Sequence, residues 1–140
     1  MEPTATEPGL FIAFEGGEGS GKSTQSRLLA SWFEAQGRTV LLTRQPGGTE
    51  VGQVLRRILL DPATGDLSPR TESLIYLADK AEHADVVLRP ALNAGKVVIT
   101  DRYVESMLAY QGAGRDLSPS ELAPIADWAT GNLNPDVTIV

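Results

Sequence analysis

A glycine-rich stretch near the N-terminus constrains the fold of this chain more than any other feature. Residues 16–23 read Gly-Gly-Glu-Gly-Ser-Gly-Lys-Ser, which is the spacing G-x-x-x-x-G-K-S. The six residues before it, 10–15, are mainly apolar and predict a buried strand. The residues after it, 25–36, carry apolar side chains at helical spacing. A strand, this loop and a helix in that order indicate a phosphate-binding loop within an α/β fold.

Each part of this loop has a separate role in holding phosphate. Gly16, Gly19 and Gly21 allow backbone angles that are closed to other residues, so successive N–H groups can point inward around an anion. The N-terminus of the following helix adds a favourable dipole. Lys22 supplies a mobile cation, and the Ser23 hydroxyl is placed to bind Mg²⁺. The alternative, a plain glycine-rich turn, is disfavoured because the spacing, the strand and the helix all agree with the motif.

The composition and charge of the 140 residues exclude several classes of function. The net charge of −6 argues against a non-specific binder of nucleic acid or of anionic membranes. The absence of cysteine excludes disulfides, zinc thiolates and thiol catalysis. No apolar run reaches the length of a transmembrane helix, and the N-terminus lacks the features of a signal peptide. We therefore expect one domain over residues 9–140, a disordered tail over residues 1–8, and a cytoplasmic location.

Strands and helices alternate along the rest of the chain. A second buried strand is predicted at 39–43, after Gly37 ends the first helix, and further strands at 97–101 and from 137 onward. Helices are predicted at 51–60, from 68 to about 92 with Ser68 as its N-cap, from 102 to about 110 and from 118 to near 131. Pro90 is expected to kink or end the second of these helices. The alternation predicts a parallel sheet with helices on both faces. Because the sequence stops within its fourth strand, we expect it to be the N-terminal part of a longer protein.

The third predicted strand ends in a carboxylate, Asp101. Mostly apolar residues followed by Asp at the end of a strand are typical of the second signature of P-loop proteins, in which the carboxylate reaches Mg²⁺ or its water shell. Asp101 could instead cap the helix predicted to follow it. The phosphate-binding loop upstream in the same chain favours the metal role.

Four sequence blocks together resemble those of bacterial thymidylate kinases. They are residues 14–24 (FEGGEGSGKST), 43–49 (TRQPGGT), 101–103 (DRY) and 109–115 (AYQGAGR). The resemblance implies the nucleoside-monophosphate-kinase-like form of the P-loop fold. It also implies transfer of the ATP γ-phosphoryl group to thymidine monophosphate (dTMP), giving dTDP for dTTP synthesis, with Mg²⁺ as cofactor. Members of this family are usually homodimers, and the helices predicted at 51–60 and 68–92 are the candidates for that interface.

The resemblance further implies roles for individual residues. The ATP-binding residues would be Gly16, Gly17, Glu18, Gly19, Ser20, Gly21, Lys22 and Ser23. The dTMP-binding residues would be Arg44, Gln45, Pro46, Tyr76, Lys80, Arg102, Ser106, Tyr110 and Gln111. The metal would be held by Ser23 and Asp101. Three residues would be catalytic: Lys22 would stabilise the transferring phosphoryl group, Arg102 would bind the acceptor phosphate, and Glu18 would approach the acceptor sugar.

Three departures from the family pattern fall in the acceptor site. Gln45 replaces the usual Glu, Lys80 stands where an Arg usually hydrogen-bonds the base, and Met107 where a small polar residue is common. Lysine is a point charge and not a planar fork, so the exchange at residue 80 is not neutral. Tyr76 matches an aromatic that stacks on the base, although it could equally be a plain core or surface aromatic. The Gln45–Pro46 bond matches a family peptide bond that is usually cis.

Other interpretations remain open on the sequence alone. A GTPase would carry a guanine-selecting N-K-x-D motif, which these residues lack. Another nucleotide or nucleoside kinase would agree with the departures in the acceptor site. Members of this type take a catalytic arginine from a lid segment, and no counterpart of that segment occurs before Val140. We therefore expect these 140 residues alone to have little or no kinase activity, and a nucleotide-binding module without activity is the alternative for this piece.

Overall fold

Four strands form one parallel sheet in the computed structural model, which describes residues 8–15, 21–103 and 119–140. The strands are β1 (Leu10–Phe14), β2 (Val40–Arg44), β3 (Val97–Asp101) and β4 (Val137–Ile139). Their order across the sheet is β2-β3-β1-β4, and every neighbouring pair is parallel. The predicted α/β class is therefore confirmed. Of the predicted tail, residues 1–7 lie outside the described residues.

The helices begin and end close to the predicted residues. They are α1 (Lys22–Ala35), α2 (Glu50–Leu60), α3 (Pro69–His83), α4 (Arg89–Asn93) and α5 (Pro119–Thr130), with a short 3-10 turn at Pro62–Thr64. The Ser68 side chain caps α3 by accepting a hydrogen bond from the Thr71 N–H. Gly37 has φ 87 just after α1, where a left-handed residue ends the helix as predicted.

The sheet buries side chains on both of its faces. Successive residues of a strand point to opposite faces, so each strand contributes to two cores. The first core comprises Phe11, Ala13, Leu88, Ala91, Val98 and Tyr103, on the side of α4. The second comprises Ile12, Phe14, Ala30, Val97 and Ile99, on the side of α1. Helices therefore cover both faces, as the alternation of elements predicts.

The prediction that β2 is a buried strand is wrong. Within residues 8–15, 21–103 and 119–140, β2 pairs only with β3 and so lies at the edge of the sheet, and Leu42 is 46% exposed. Four apolar side chains of α1 stand at helical spacing. Leu29 and Phe33 pack on the core, whereas Leu28 and Trp32 are more than half exposed. Apolar spacing identifies the faces of an element, but it does not tell which faces another element covers.

The long helix predicted from residue 68 to about 92 is continuous but not regular. A π-helical turn, Ala84–Leu88, separates α3 from α4, and the Arg89 N–H donates to the Ala84 carbonyl. Pro90 has no N–H to donate and its ring crowds the preceding turn, which a regular α-helix does not tolerate. The wider turn before it relieves this conflict. Pro90 therefore interrupts the regular helix without ending it.

The carboxyl ends of three strands meet at one edge of the sheet. In the register of the strands, Asp101 lies opposite both Phe14 and Arg44. The chain leaves β1 for β2 on one side and leaves β3 for β4 on the other. Ligands of open α/β sheets bind in the crevice outside the carboxyl ends of strands, where the connections diverge in this way.

The contrast between β3 and β2 can be tested with two register partners, Ile99 and Leu42. Ile99 is 0% exposed, so Ile99→Ala in the intact protein should lower the free energy of unfolding by about 2–5 kcal/mol. Leu42→Ala, the matched control on the edge strand, should cost about 1 kcal/mol or less because its side chain is half exposed. Urea denaturation measures both. Equal losses for the two variants would contradict the assignment of β2 as an exposed edge.

Candidate active site

A cleft of about 640 Å³ opens at the carboxyl edge of the sheet. Its lining brings together residues from five separate parts of the chain, namely Gly21, Lys22, Ser23, Arg44, Gln45, Pro46, Arg56, Leu60, Tyr76, Asp101 and Arg102. Nine of these residues, including Gly21, were predicted as site residues from the sequence. Arg56 and Leu60 of α2 join them without having been predicted.

The end of the glycine-rich loop places a lysine in this cleft. Gly21 precedes α1 with φ 83, a left-handed conformation that suits glycine. The helix begins directly after it, at Lys22, three residues earlier than predicted. The Lys22 ammonium donates to Asp101 Oδ1 at 2.8 Å, and its side chain is 11% exposed. The loop after β1 and the end of β3 are thus joined by one ion pair.

Ser23 and Asp101 both line the cleft, as a shared metal site requires. A hydroxyl and a carboxylate are hard oxygen ligands of the kind that Mg²⁺ prefers. Among the described residues there is no cluster of three or more His, Cys, Asp or Glu side chains that could hold a metal alone.

Arg102 adopts an unusual backbone conformation at the end of β3. Its φ is 68, in the left-handed region that few residues other than glycine occupy. The turn is held by two backbone contacts: the Arg102 N–H donates to the Phe14 carbonyl at 2.8 Å, and the Tyr103 N–H donates to Glu15 Oε1 at 2.6 Å. Such strain is common at functional sites, and here it accompanies a guanidinium in the cleft.

The same turn corrects two expectations about this segment. The helix predicted from 102 to about 110 does not begin at Arg102, because a residue with φ 68 cannot be its first helical residue. Asp101 is therefore not the cap of a helix starting there, and the alternative role that the sequence left open for it is wrong. Residues 104–110 lie outside the described residues.

Three arginines of the described part of the chain line the cleft together with Lys22. They are Arg44 at the end of β2, Arg56 in α2 and Arg102 after β3. Planar guanidinium groups match the geometry of phosphate oxygens. Although the chain has a net charge of −6, this cleft is therefore locally cationic. Sequence analysis missed Arg56 because periodicity assigned only the apolar positions of α2, and spacing alone does not separate Arg56 from its neighbour Arg57.

The loop between β2 and α2 (residues 45–49) contributes Gln45 and Pro46 to the cleft. The Gln45–Pro46 peptide bond is cis, which confirms the expectation from the resemblance. Tyr76 of α3 also lines the cleft, half-buried beside a small core formed by α3 and α5. Tyr76 therefore packs on this core and also lines the cleft, while its stacking on a base stays a prediction.

Lys80 lies behind the cleft and is not among the residues that line it. Its side chain is 3% exposed, and its ammonium donates to Gln45 Oε1 and lies 5.2 Å from the centre of the Tyr103 ring. Burial lowers the pKa of Lys80 to about 8, against the opposing attraction of Asp79 and Glu15. The structure therefore places Gln45 between Lys80 and the cleft.

Several predicted site residues lie outside the described part of the chain. They are Gly16, Gly17, Glu18, Gly19 and Ser20 of the loop, and Ser106, Tyr110 and Gln111 after β3. Their roles stay predictions.

None of the described helices is long and apolar enough to cross a membrane.

Comparisons with known proteins agree on one family. A family model described as thymidylate kinase matches residues 14–140. The chain is 53% identical over 132 residues to the thymidylate kinase of Cutibacterium acnes, covering 94% of this chain and 65% of that protein. It is 52% identical over 133 residues to that of Bifidobacterium longum, covering 93% and 65%. The crystal structure of thymidylate kinase from Ehrlichia chaffeensis superposes with a TM-score of 0.85 at 38% identity, covering 94% of this chain and 73% of that one. The chain thus spans 65% of the length of these two relatives.

The burial of Lys80 predicts how stability depends on alkaline pH. Its folded pKa of about 8 lies below its ordinary value of 10.5, so the unfolded chain binds the proton more tightly between these values. Stability should therefore rise with pH, by roughly 2 kcal/mol from pH 8 to pH 10. Burial raises the pKa of Tyr103 to about 12. This tyrosine therefore makes stability fall with rising pH, but mainly above pH 10.

The measurement is urea denaturation of the intact protein at several pH values from 8 to 10. Lys80→Met should remove the rise in the free energy of unfolding. Lys96→Met, at a lysine that is less buried, is the matched control and should retain it. The same pH dependence in both variants would show that Lys80 is not the group responsible.

Proposed function

The chain belongs to the thymidylate kinase family, and on this premise we propose that the intact protein transfers the γ-phosphoryl group of ATP to dTMP. An oxygen of the acceptor's 5′-phosphate attacks the γ-phosphorus, the bond to the β–γ bridging oxygen breaks, and dTDP and ADP are formed for dTTP synthesis. The observation that carries this proposal is the convergence of Lys22, Asp101 and three arginines on one cleft. Phosphoryl transfer depends mainly on such positioning and charge stabilisation.

The donor phosphates bind at the start of α1. Here the helix N-terminus and the left-handed Gly21 direct N–H groups toward an anion. Lys22 stabilises the phosphoryl group in transfer. Its contact with Asp101 keeps the ammonium inside the cleft, at the junction of β1 and β3, where the phosphates meet. ATP is the donor that the family implies.

Ser23 and Asp101 would hold Mg²⁺ in this cleft. When bound, the ion neutralises charge on the β- and γ-phosphates. The Asp101 side chain is 42% exposed, so its second oxygen is accessible while Oδ1 accepts from Lys22. The two side chains supply oxygen ligands and leave the remaining coordination to phosphates and water.

The acceptor binds on the side of the cleft formed by α2 and α3. Arg44, Arg56 and Arg102 neutralise its phosphate and hold it in line with the donor. Tyr76 lines the same cleft and stacks on the base under this proposal. The remaining base and sugar contacts would come from Ser106, Tyr110 and Gln111.

The intact protein forms a homodimer through α2 and α3 under this proposal. Val51, Val54 and Ile58 follow one another along α2 and are 49%, 47% and 38% exposed, which is a suitable surface for a second copy. A cytoplasmic location stays a prediction from the sequence.

Steady-state kinetics with different acceptors test the proposed reaction. ADP release by the intact protein is measured in a coupled assay with dTMP, deoxyuridylate and guanylate, each with ATP and Mg²⁺. The highest kcat/KM is expected with dTMP. Preference for guanylate would overturn the acceptor assignment and leave the phosphate-binding loop assignment intact, whereas no turnover with any acceptor would overturn the reaction itself.

Two adjacent arginines of α2 allow an effect on acceptor binding to be distinguished from the effect of losing one positive charge. Arg56 lines the cleft, while Arg57 is exposed and does not. Arg56→Ala should raise the KM for dTMP roughly 10- to 100-fold, because a charge-assisted contact with the acceptor phosphate is lost. Arg57→Ala removes the same charge one residue away and should leave the KM for dTMP unchanged. The KM for ATP should not change in either variant, and equal effects of the two substitutions would contradict this role for Arg56.

A further inference from the structure

Three buried polar side chains and the half-buried Thr43 form a chain of contacts behind the proposed acceptor side of the cleft. Lys80 donates to Gln45 Oε1, Gln45 Nε2 lies 2.7 Å from His83 Nδ1, and His83 Nε2 lies 2.7 Å from Thr43 Oγ1. His83 is 0% exposed, and Lys80 and Gln45 are 3% and 5% exposed. Buried polar groups in such a chain must all be satisfied, because an unpaired one costs more than a hydrogen bond contributes.

The donors and acceptors of this chain can be assigned by elimination. An ammonium only donates, so the atom of Gln45 that faces Lys80 is its carbonyl oxygen and the atom that faces His83 is its NH₂ group. His83 Nδ1 must then accept, which leaves the ring proton on Nε2. Nε2 donates this proton to Thr43 Oγ1. Burial and the nearby charge of Lys80 lower the pKa of His83 to about 4, which keeps the imidazole neutral near pH 7.

The same face of α3 also holds the backbone of the loop 45–49. Asp79, one helical turn before His83, accepts from the Gly47 N–H at 2.9 Å through Oδ1. Gly48 packs directly on the imidazole, since a Cβ at this residue would lie 2.7 Å from His83 Nε2. His83 thus contacts this loop at two points, the backbone of Gly48 and the side chain of Gln45.

We propose that His83 is a positioning residue of the acceptor site, which as its Nε2–H tautomer fixes the Gln45 amide and, through it, the Lys80 ammonium. Gln45 lines the cleft, so the orientation of its amide determines what the acceptor meets there. The kinetic part of this inference rests on the proposed function, whereas the tautomer does not.

The inference joins the two departures noted at residues 45 and 80 into one unit. Glutamine supplies both the acceptor that Lys80 needs and the N–H that Nδ1 of His83 needs. A carboxylate at residue 45 has no N–H to donate, so Gln45→Glu would require the proton on Nδ1. A histidine that merely filled space in the core would show no such dependence on residue 45.

The tautomer is tested by ¹⁵N NMR of the imidazole in the intact protein at neutral pH. His83 is the only histidine of these 140 residues, and its signals are identified by their loss in His83→Asn. Nε2 is expected to be of the protonated, pyrrole type and Nδ1 of the unprotonated, pyridine type. Gln45→Glu should place the proton on Nδ1. A protonated Nδ1 in the unmutated protein, or no change on Gln45→Glu, would overturn the inference irrespective of any kinase activity.

The positioning role is tested with two amide variants of similar bulk. His83→Asn can retain an acceptor near the Nδ1 position, whereas His83→Gln carries its amide near the Nε2 position and leaves Gln45 without its acceptor. His83→Gln should raise the KM for dTMP about tenfold, and His83→Asn by less than about threefold. The KM for ATP should stay unchanged in both.

The outcomes of this comparison separate the inference from the proposed function. Equal losses in both variants, or a matching rise in the KM for ATP, would reduce His83 to a structural residue. If another nucleotide is the better acceptor, the proposed function fails, and the same comparison is made with that acceptor. If neither variant folds, as judged by circular dichroism, the tautomer measured in the unmutated protein decides whether the inference holds.

Discussion

The in-register pairing of β1 with β3 is the constraint on which the rest of the site depends. It places Phe14 opposite Asp101, so that the glycine-rich loop and the Asp-Arg pair leave the sheet side by side. The Lys22–Asp101 ion pair and the hydrogen bond from the Arg102 N–H to the Phe14 carbonyl both follow from this register. A shift of one residue would turn the side chains of β3 to the other face of the sheet and separate the lysine from its carboxylate.

The two sides of the cleft are built on different physical principles. The proposed donor side uses backbone geometry, with a left-handed glycine, a helix N-terminus and one ion pair. The proposed acceptor side uses long side chains from β2, α2 and α3, and these need support from behind. The buried polar contacts of Asp79 and His83 supply such support to the loop 45–49.

The sequence predicted those features that depend on local patterns. The presence of Gly21, Lys22, Ser23 and Asp101 in one cleft, the Ser68 cap and the order of the described strands and helices each rest on short motifs or periodicity. The contribution of Arg56 and the burial of Lys80 could not be predicted in this way, because both depend on which faces of α2 and α3 meet the loop 45–49. The exposure of Leu42 has the same origin, since the position of β2 at the edge of the sheet is a property of topology.

The π-helical turn at Ala84–Leu88 gives one continuous helix two separate tasks. A wider turn accommodates one extra residue, and one residue corresponds to about 100° of rotation around an α-helix. Before the turn, Asp79 and His83 point to the loop 45–49; at its end and beyond it, Leu88 and Ala91 point to the sheet. Deleting a single residue within the turn would rotate one of these faces away from its target and would return Pro90 to a regular helix that does not tolerate it. The length of this segment is therefore constrained by the packing on both of its sides.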